Sequence, residues 1–371
     1  MNDRDSEIIY GLLIEKGWKR AESMEEADCV LFNTCSVRQH AEERAYSNMG
    51  MLAKLKKSKP NLILGFVGCT AEKDKDGVFK RLPHVDLVTG PAEIYNIPDY
   101  LDSISRNKKR IIATERLERP DSKNPLYHEN KTSAYVSISE GCDNFCSYCI
   151  VPYVRGRERS RKKELIIDEV HSLSLIGIKE VTLLGQNVSS YGKDLKDGFN
   201  FINLLEEIHA IEGINRIRFV TCHPKDTTEE LFKTMRDLPK IYNHLHLPLQ
   251  SGSAKILKEM KRGYSPKYYL KLIDSLRKYI PDCNITTDII VGFPGERVKD
   301  FKDTYDIMKK IEFDSAFIFK YSPRPPAESS RLPDDVPPDV KKKRHGELLE
   351  LQKEISKRKR ALRKTEILPM A

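Results

Sequence analysis

Three cysteines, Cys142, Cys146 and Cys149, stand in a C-x3-C-x2-C spacing within Gly141-Cys142-Asp143-Asn144-Phe145-Cys146-Ser147-Tyr148-Cys149, and no other feature limits the chemistry of the chain as tightly. Thiolates this close in sequence close around one inorganic cluster and leave a fourth corner free. In a 4Fe-4S cube that corner is an iron able to chelate the amino and carboxylate groups of S-adenosylmethionine. Cys142, Cys146 and Cys149 are therefore the expected catalytic and metal-ligating residues, with Phe145 and Tyr148 shielding the cube from water. The alternating stretch Tyr135-Val136-Ser137-Ile138-Ser139 predicts a strand that delivers this loop to a barrel mouth. A structural zinc site usually needs four ligands in two pairs, and no second C-x-x-C or H-x3-5-H lies nearby. Eight cysteines without a secretory signal also make a disulfide framework a poor explanation.

A chain of 371 residues, 39% of them hydrophobic, holds two domains with cores of their own. No apolar run approaches the ~18 residues of a membrane span, so a soluble, cytoplasmic protein without membrane contact is expected. The formal charge of +9 points toward a polyanionic partner, although proteins that bind nothing acidic often carry as much.

The first segment alternates helical and extended patterns: a helix over Asp5–Lys16, a strand over Asp28–Phe32, a basic amphipathic helix over Ala41–Lys56 and a buried strand over Leu62–Val67. This punctuation predicts an open α/β sheet. Cys35 and Cys69 follow two of its strands, where such sheets place ligands, so the two thiols either share a crevice or pack in the core. The Pro-rich segment from Leu117 to Thr132 reads as an interdomain linker. Beyond it, strands over Glu180–Leu184, Ile214–Val220, His244–Leu247, Asn284–Val291 and Ser315–Lys320 alternate with helical stretches, which predicts about six βα units in an incomplete TIM-like barrel.

Loops at those strand ends carry the expected cofactor-binding residues: Gly185, Gln186 and Asn187; Gln250; and Asp288, Gly292 and Glu296. Glycines allow close backbone approach, while Gln186, Asn187, Gln250 and Asp288 offer donors and acceptors to a zwitterionic cofactor. Gly292-x-x-Gly295 can equally be only a turn, and His223, His244 and His246 read as structural histidines.

Asn33-Thr34-Cys35-Ser36-Val37-Arg38, the cysteine loop through Cys149-Ile150-Val151-Pro152, Arg155-Gly156-Arg157-Glu158-Arg159-Ser160-Arg161 and His246 to Ser253 together resemble the radical SAM methylthiotransferase family over nearly the whole chain. Leu184 to Val188, Thr221-x-His223-Pro224 and Tyr321-Ser322-Pro323-Arg324-Pro325 are similar to its tRNA-modifying branch; Cys222 and Pro326 stand where that branch often has serine and glycine. The resemblance implies an N-terminal open α/β methylthiotransferase domain and a radical SAM barrel. It also implies methylthio transfer to C2 of N6-isopentenyladenosine beside the tRNA anticodon. Two 4Fe-4S clusters and two molecules of S-adenosylmethionine come with it, Cys35 and Cys69 being two of three ligands of an auxiliary, sulfur-donating cluster. An electron donor such as flavodoxin or ferredoxin, a monomeric state and phosphate contacts from Arg155, Arg157 and Arg159 complete the expectation. Its alternatives are a cluster-bearing tRNA-binding protein without sulfur donation, or a branch acting on threonylcarbamoyladenosine or on a protein residue.

Departures from the family pattern fall at the ends. Met1-Asn2-Asp3-Arg4-Asp5-Ser6-Glu7 is similar to the middle of a motif whose third auxiliary cysteine precedes it, so that cysteine and the first strand are expected to be missing; Cys29 does not match it. The basic stretch Lys341–Lys364, with Leu348, Leu351, Ile355 and Leu362 at helical spacing, predicts an amphipathic helix packed on the barrel, with a direct RNA contact as the alternative. The family's C-terminal TRAM β-barrel is expected to be absent. The expected divisions are residues 1–120, a linker at 121–131, a core at 132–335 and a basic helix at 336–371.

Overall fold

The structure is a computed structural model that describes residues 1–115, 118–119 and 124–367, with side chains as far as residue 361. Pro120–Lys123 of the expected linker, and the side chains of Leu362, Arg363 and Lys364, lie outside the described residues. The chain divides into two compact units, one of Met1–Asp143 with Ile150–Ile178, the other of Asn144–Cys149 with residues from Lys179 onward. Among the described residues no helix is long and apolar enough to cross a membrane.

The first unit is organised by β1 (Cys29–Thr34), β2 (Ile63–Gly68), β3 (Leu87–Thr89) and β4 (Ile111–Ala113), all parallel and adjacent in that order. Every residue of β2 is buried, because an apolar run without alternation suits a central strand covered on both faces. Leu64 and Phe66 pack with Tyr46, Met49 and Leu52 on one face. Ile63 and Val67 pack with Ile8, Ile9, Ile97 and Leu101 on the other. Each such side chain contributes about 1.5–3 kcal/mol through burial. The helix predicted over Ala41–Lys56 is two, Gln39–Met51 and Ala53–Ser58, parted where the Leu52 N–H turns back to the Met49 carbonyl.

The strand predicted over Tyr135–Ser139 is also two: β5 (Ser133–Ser137) and β6 (Ser139–Glu140). β6 pairs antiparallel with β7 (Arg159–Ser160), drawing the arginine-rich run into the fold. Arg119 and Asn124, at the margins of the segment read as a linker, are bound into this unit as well. Arg119 is buried, and the Asn124 amide donates to Glu169 at 3.0 Å.

In the second unit β8 (Glu180–Leu184) pairs parallel with β9 (Arg216–Phe219), and β10 (His244–His246), β11 (Asn284–Val291) and β12 (Ser315–Lys320) form a parallel sheet in that order. Helices alternate with the strands. Asn200, Thr228, Ser253 and Ser265 start four of them, each side chain accepting from a backbone N–H of the first turn. β11 alternates strictly: Ile285, Thr287, Ile289 and Val291 are buried, while Asn284, Thr286, Asp288 and Ile290 line the half-open face. The basic helix Pro338–Ile367 packs on β12 in this unit and buries Leu348, Leu351 and Ile355, as its spacing predicts.

Candidate functional site

Cys146 and Cys149 belong to a tight loop of the second unit in which the Cys149 N–H donates to the Cys146 carbonyl at 2.9 Å. Ser147 anchors that loop. Its N–H reaches the Met260 carbonyl at 3.1 Å, its hydroxyl the Glu259 carbonyl at 2.7 Å, and its own carbonyl accepts from the Ser329 N–H at 2.7 Å. Tyr148 packs against Ile256, Met260, Phe293 and Tyr321. Phe145 is 39% exposed at a φ of +43°. Cys146 is buried, and the Arg262 Nη1 donates to its Sγ at 3.3 Å.

Cys142 belongs to the first unit, where its N–H donates to the Gly156 carbonyl at 3.2 Å. Gly141 before it has a φ of +71°, and a Cβ there would lie 2.0 Å from the Arg157 carbonyl, so only glycine fits. Among the described residues no three His, Cys, Asp or Glu side chains already stand as a metal-holding group. The donor chemistry nevertheless fits a 4Fe-4S cluster: three cysteines from one short run of sequence and a buried guanidinium against one sulfur.

Cys35 follows β1, and Cys69 opens the helix Cys69–Asp74 directly after β2. Burial pushes the Cys69 thiol up, the Arg155 guanidinium opposes that shift and Cys35 adds to it, so the unit brings the two cysteines into one electrostatic neighbourhood. Beside each lies a buried hydroxyl with no partner among the described residues, Ser36 Oγ and Thr70 Oγ1. Burial pushes the thiols of Cys29, Cys222 and Cys283 up to about 12, leaving them inert.

The phosphate-contact role expected of Arg155 is corrected by its burial. Its Nη2 pairs with Asp5 Oδ2 at 2.6 Å and donates to Asn2 Oδ1 at 3.1 Å, and β6–β7 pairing holds the run inward. Arg119 reaches the other Asp5 oxygen at 2.7 Å and Glu140 at 2.6 Å. Arg159 is partly buried, donating to the Arg119 carbonyl at 2.5 Å, whereas Arg157 is exposed and pairs with Asp143 at 2.7 Å.

Of the expected cofactor ligands, Gln250 stands at a φ of +66° with both backbone groups bound to β11, and its buried Oε1 has no partner among the described residues. Gln186 Oε1, beside the buried Gly185, is likewise buried and without a partner among the described residues. Asp288 keeps part of its carboxylate open, with Oδ2 3.4 Å from His246 Nε2. Asn187 has both ends of its side chain engaged: its amide donates to Asp226 at 2.6 Å and accepts from the His223 N–H at 3.1 Å. Glu296 and Gly292 are also corrected. The Glu296 carboxylate accepts from the Gly292 N–H at 2.9 Å and pairs with Arg344 at 2.6 Å, while the Lys341 stem covers Gly292, so the motif is an internally satisfied turn. Sequence reasoning missed Arg262 and the Asp5–Arg119–Arg155 group, because only the fold tells which arginines of a basic run are buried.

The cysteine loop and the parallel α/β units define a radical SAM protein: residues 136–308 match the Radical SAM superfamily, and residues 1–90 match Uncharacterized protein family UPF0004. Solved structures of that class share the fold. The radical S-adenosylmethionine methyltransferase TsrM from Kitasatospora setae aligns with a TM-score of 0.65 at 14% identity, over 88% of this chain and 71% of that one. The cobalamin-dependent radical enzyme OxsB aligns with a TM-score of 0.57 at 13% identity, over 95% and 50%. Sequence relatives are far nearer. A tRNA-2-methylthio-N(6)-dimethylallyladenosine synthase of Caldicellulosiruptor saccharolyticus is 49% identical over 362 residues, 97% of this chain and 77% of the relative. One of Acetivibrio thermocellus is 45% identical over 360 residues, 96% and 75%. The chain belongs to this family of tRNA-2-methylthio-N(6)-dimethylallyladenosine synthases.

Proposed function

We propose that the chain is a tRNA methylthiotransferase that adds a methylthio group to C2 of N6-isopentenyladenosine beside the anticodon by radical SAM chemistry. The observation that carries this is its 44–49% identity, over nearly its whole length, to synthases of that name. Cys142, Cys146 and Cys149 hold the cluster. When bound, the reduced cluster supplies the electron that cleaves S-adenosylmethionine to the radical which attacks an unactivated C–H bond. Gln186 and Gln250 present buried amide oxygens to the amino end of the cofactor, and Asp288 adds a carboxylate. Tyr148 and its apolar neighbours keep water from the loop.

Cys35 and Cys69 are the thiols of a second, auxiliary site from which sulfur is donated. Their shared neighbourhood, the opposing Arg155 charge and the unpartnered Ser36 and Thr70 hydroxyls support this. Arg157 and Arg159 contact tRNA phosphate, a low-potential donor such as flavodoxin or ferredoxin delivers electrons, and the protein acts as a monomer. Residues 1–120 form the methylthiotransferase domain, and residues 132–335 form an incomplete TIM-like barrel of six βα units, a division supported by the matched segments.

Nucleoside mass spectrometry after incubating the reconstituted protein, reductant and S-adenosylmethionine with isopentenylated tRNA tests the proposal. The methylthio product is expected. Release of 5′-deoxyadenosine without that product assigns the chain to radical generation alone and refutes the transferase reading.

A further inference from the structure

Arg262 lies just beyond the helix Ala254–Glu259 and is 5% exposed. Its three nitrogens are all engaged: Nη1 donates to Cys146 Sγ at 3.3 Å, Nη2 to the Pro248 carbonyl at 3.2 Å and Nε to the Tyr264 hydroxyl at 3.2 Å. Among the described residues no carboxylate pairs with it; the groups that face its charge include Cys146, Tyr148, Tyr264, Tyr269 and His223. A guanidinium taken out of water without an anion is strongly unfavourable. Of these neighbours, Cys146 is the one whose sulfur Nη1 touches, and a sulfur that ligates a cluster does so as a thiolate.

We propose that Arg262 is a positioning residue that serves as counter-ion to the cluster through Cys146 and raises its reduction potential. The inference rests on the reading of Cys146 as a cluster ligand. A donor on a ligating sulfur, backed by a full positive charge in a dry surrounding, stabilises the electron added on reduction. The same fork holds the Pro248 carbonyl two residues before Gln250, so one side chain ties the thiol loop to the loop offering a cofactor acceptor.

The test uses the full chain with Cys35→Ser and Cys69→Ser, so that only the Cys142–Cys149 loop contributes a cluster, in three forms: Arg262 intact, Arg262→Lys and Arg262→Gln. Iron and sulfide per chain are measured after anaerobic reconstitution, and the midpoint potential is then read by redox titration followed by electron paramagnetic resonance. Arg262→Gln is expected to retain iron and to shift the reduction equilibrium at least tenfold toward the oxidised form, about 59 mV for a one-electron couple. Arg262→Lys, which keeps the charge and loses the fork, is expected about threefold below the parent. Tyr264→Phe, which leaves the sulfur donor in place, is expected at the parent value. A glutamine variant that loads iron and keeps the parent potential overturns the proposal. Should that variant fail to load, the lysine variant decides, and a parent potential there overturns it too. A parent protein that loads no iron refutes the ligand reading instead.

Discussion

In the first unit, Arg155 and Arg119 share the two oxygens of the buried Asp5 carboxylate, and Arg119 also reaches Glu140, so the charges near Cys69 are nearly balanced within the protein. In the second unit, Arg262 is buried to the same degree against Cys146 and has no carboxylate partner among the described residues. Burial alone would raise the Asp5 carboxyl, yet the two guanidiniums hold it down to about 2. A neutralised arginine orders the fold around it; an uncompensated one waits for an anion to arrive. The two units thus place arginine beside cysteine for different ends. One is structural before any cofactor binds, and the other completes its charge balance only with the cluster.

The sharpest way to break this contrast is Asp5→Asn, which leaves Arg155 without its counter-ion and Arg119 with Glu140 alone. Breaking such a buried group is expected to cost about 3–5 kcal/mol in denaturant unfolding. A loss below about 1 kcal/mol would mean that the first unit is not balanced through Asp5.

Acid should also separate the units. Burial, reinforced by Arg262, Lys225 and Lys193, lowers His223 to about 2, so its ring stays neutral in the fold while the unfolded chain takes up a proton at the ordinary value of 6.5. His223 stability is therefore full above pH 6.5 and lost as pH falls below it, by up to about 1.4 kcal/mol per pH unit. The Asp5 contribution is present above its ordinary 3.8 and is lost only as pH falls from there toward about 2. Melting curves between pH 7 and pH 4 should thus decline with a slope that His223→Gln flattens. Equal slopes in the two proteins would remove His223 from the account.

The smallest effect on stability belongs to Arg157, two residues from Arg155 but 74% exposed at its side chain. Arg157→Gln should leave the melting temperature unchanged, since exposed pairs contribute little, while weakening tRNA binding and reducing its salt slope by about one. Unchanged affinity and slope would make the whole run an internal feature of the first unit.

Much of this molecule is local and was legible in the chain itself. The C-x3-C-x2-C spacing is fixed by covalent connection, and the apolar run of β2 and the alternation of β11 follow from which side chains face a core. Strand bounds at Glu180–Leu184, Asn284–Val291 and Ser315–Lys320 agree with the pattern for that reason. Partner choice is not local. Arg155 and Arg157 are the same residue type in one basic run, and only the pairing of β6 with β7 and the approach of Asp5 bury one and expose the other. Asn187 and Glu296 carry the right chemistry for a cofactor, yet Asp226 and Arg344 engage them first. Arg262 meets Cys146 across 116 positions of chain, a contact no spacing encodes. The sequence by itself determined the donor atoms and the elements that carry them. Tertiary structure alone decided which charges are buried and with what, because desolvation and pairing depend on neighbours brought in from distant parts of the chain.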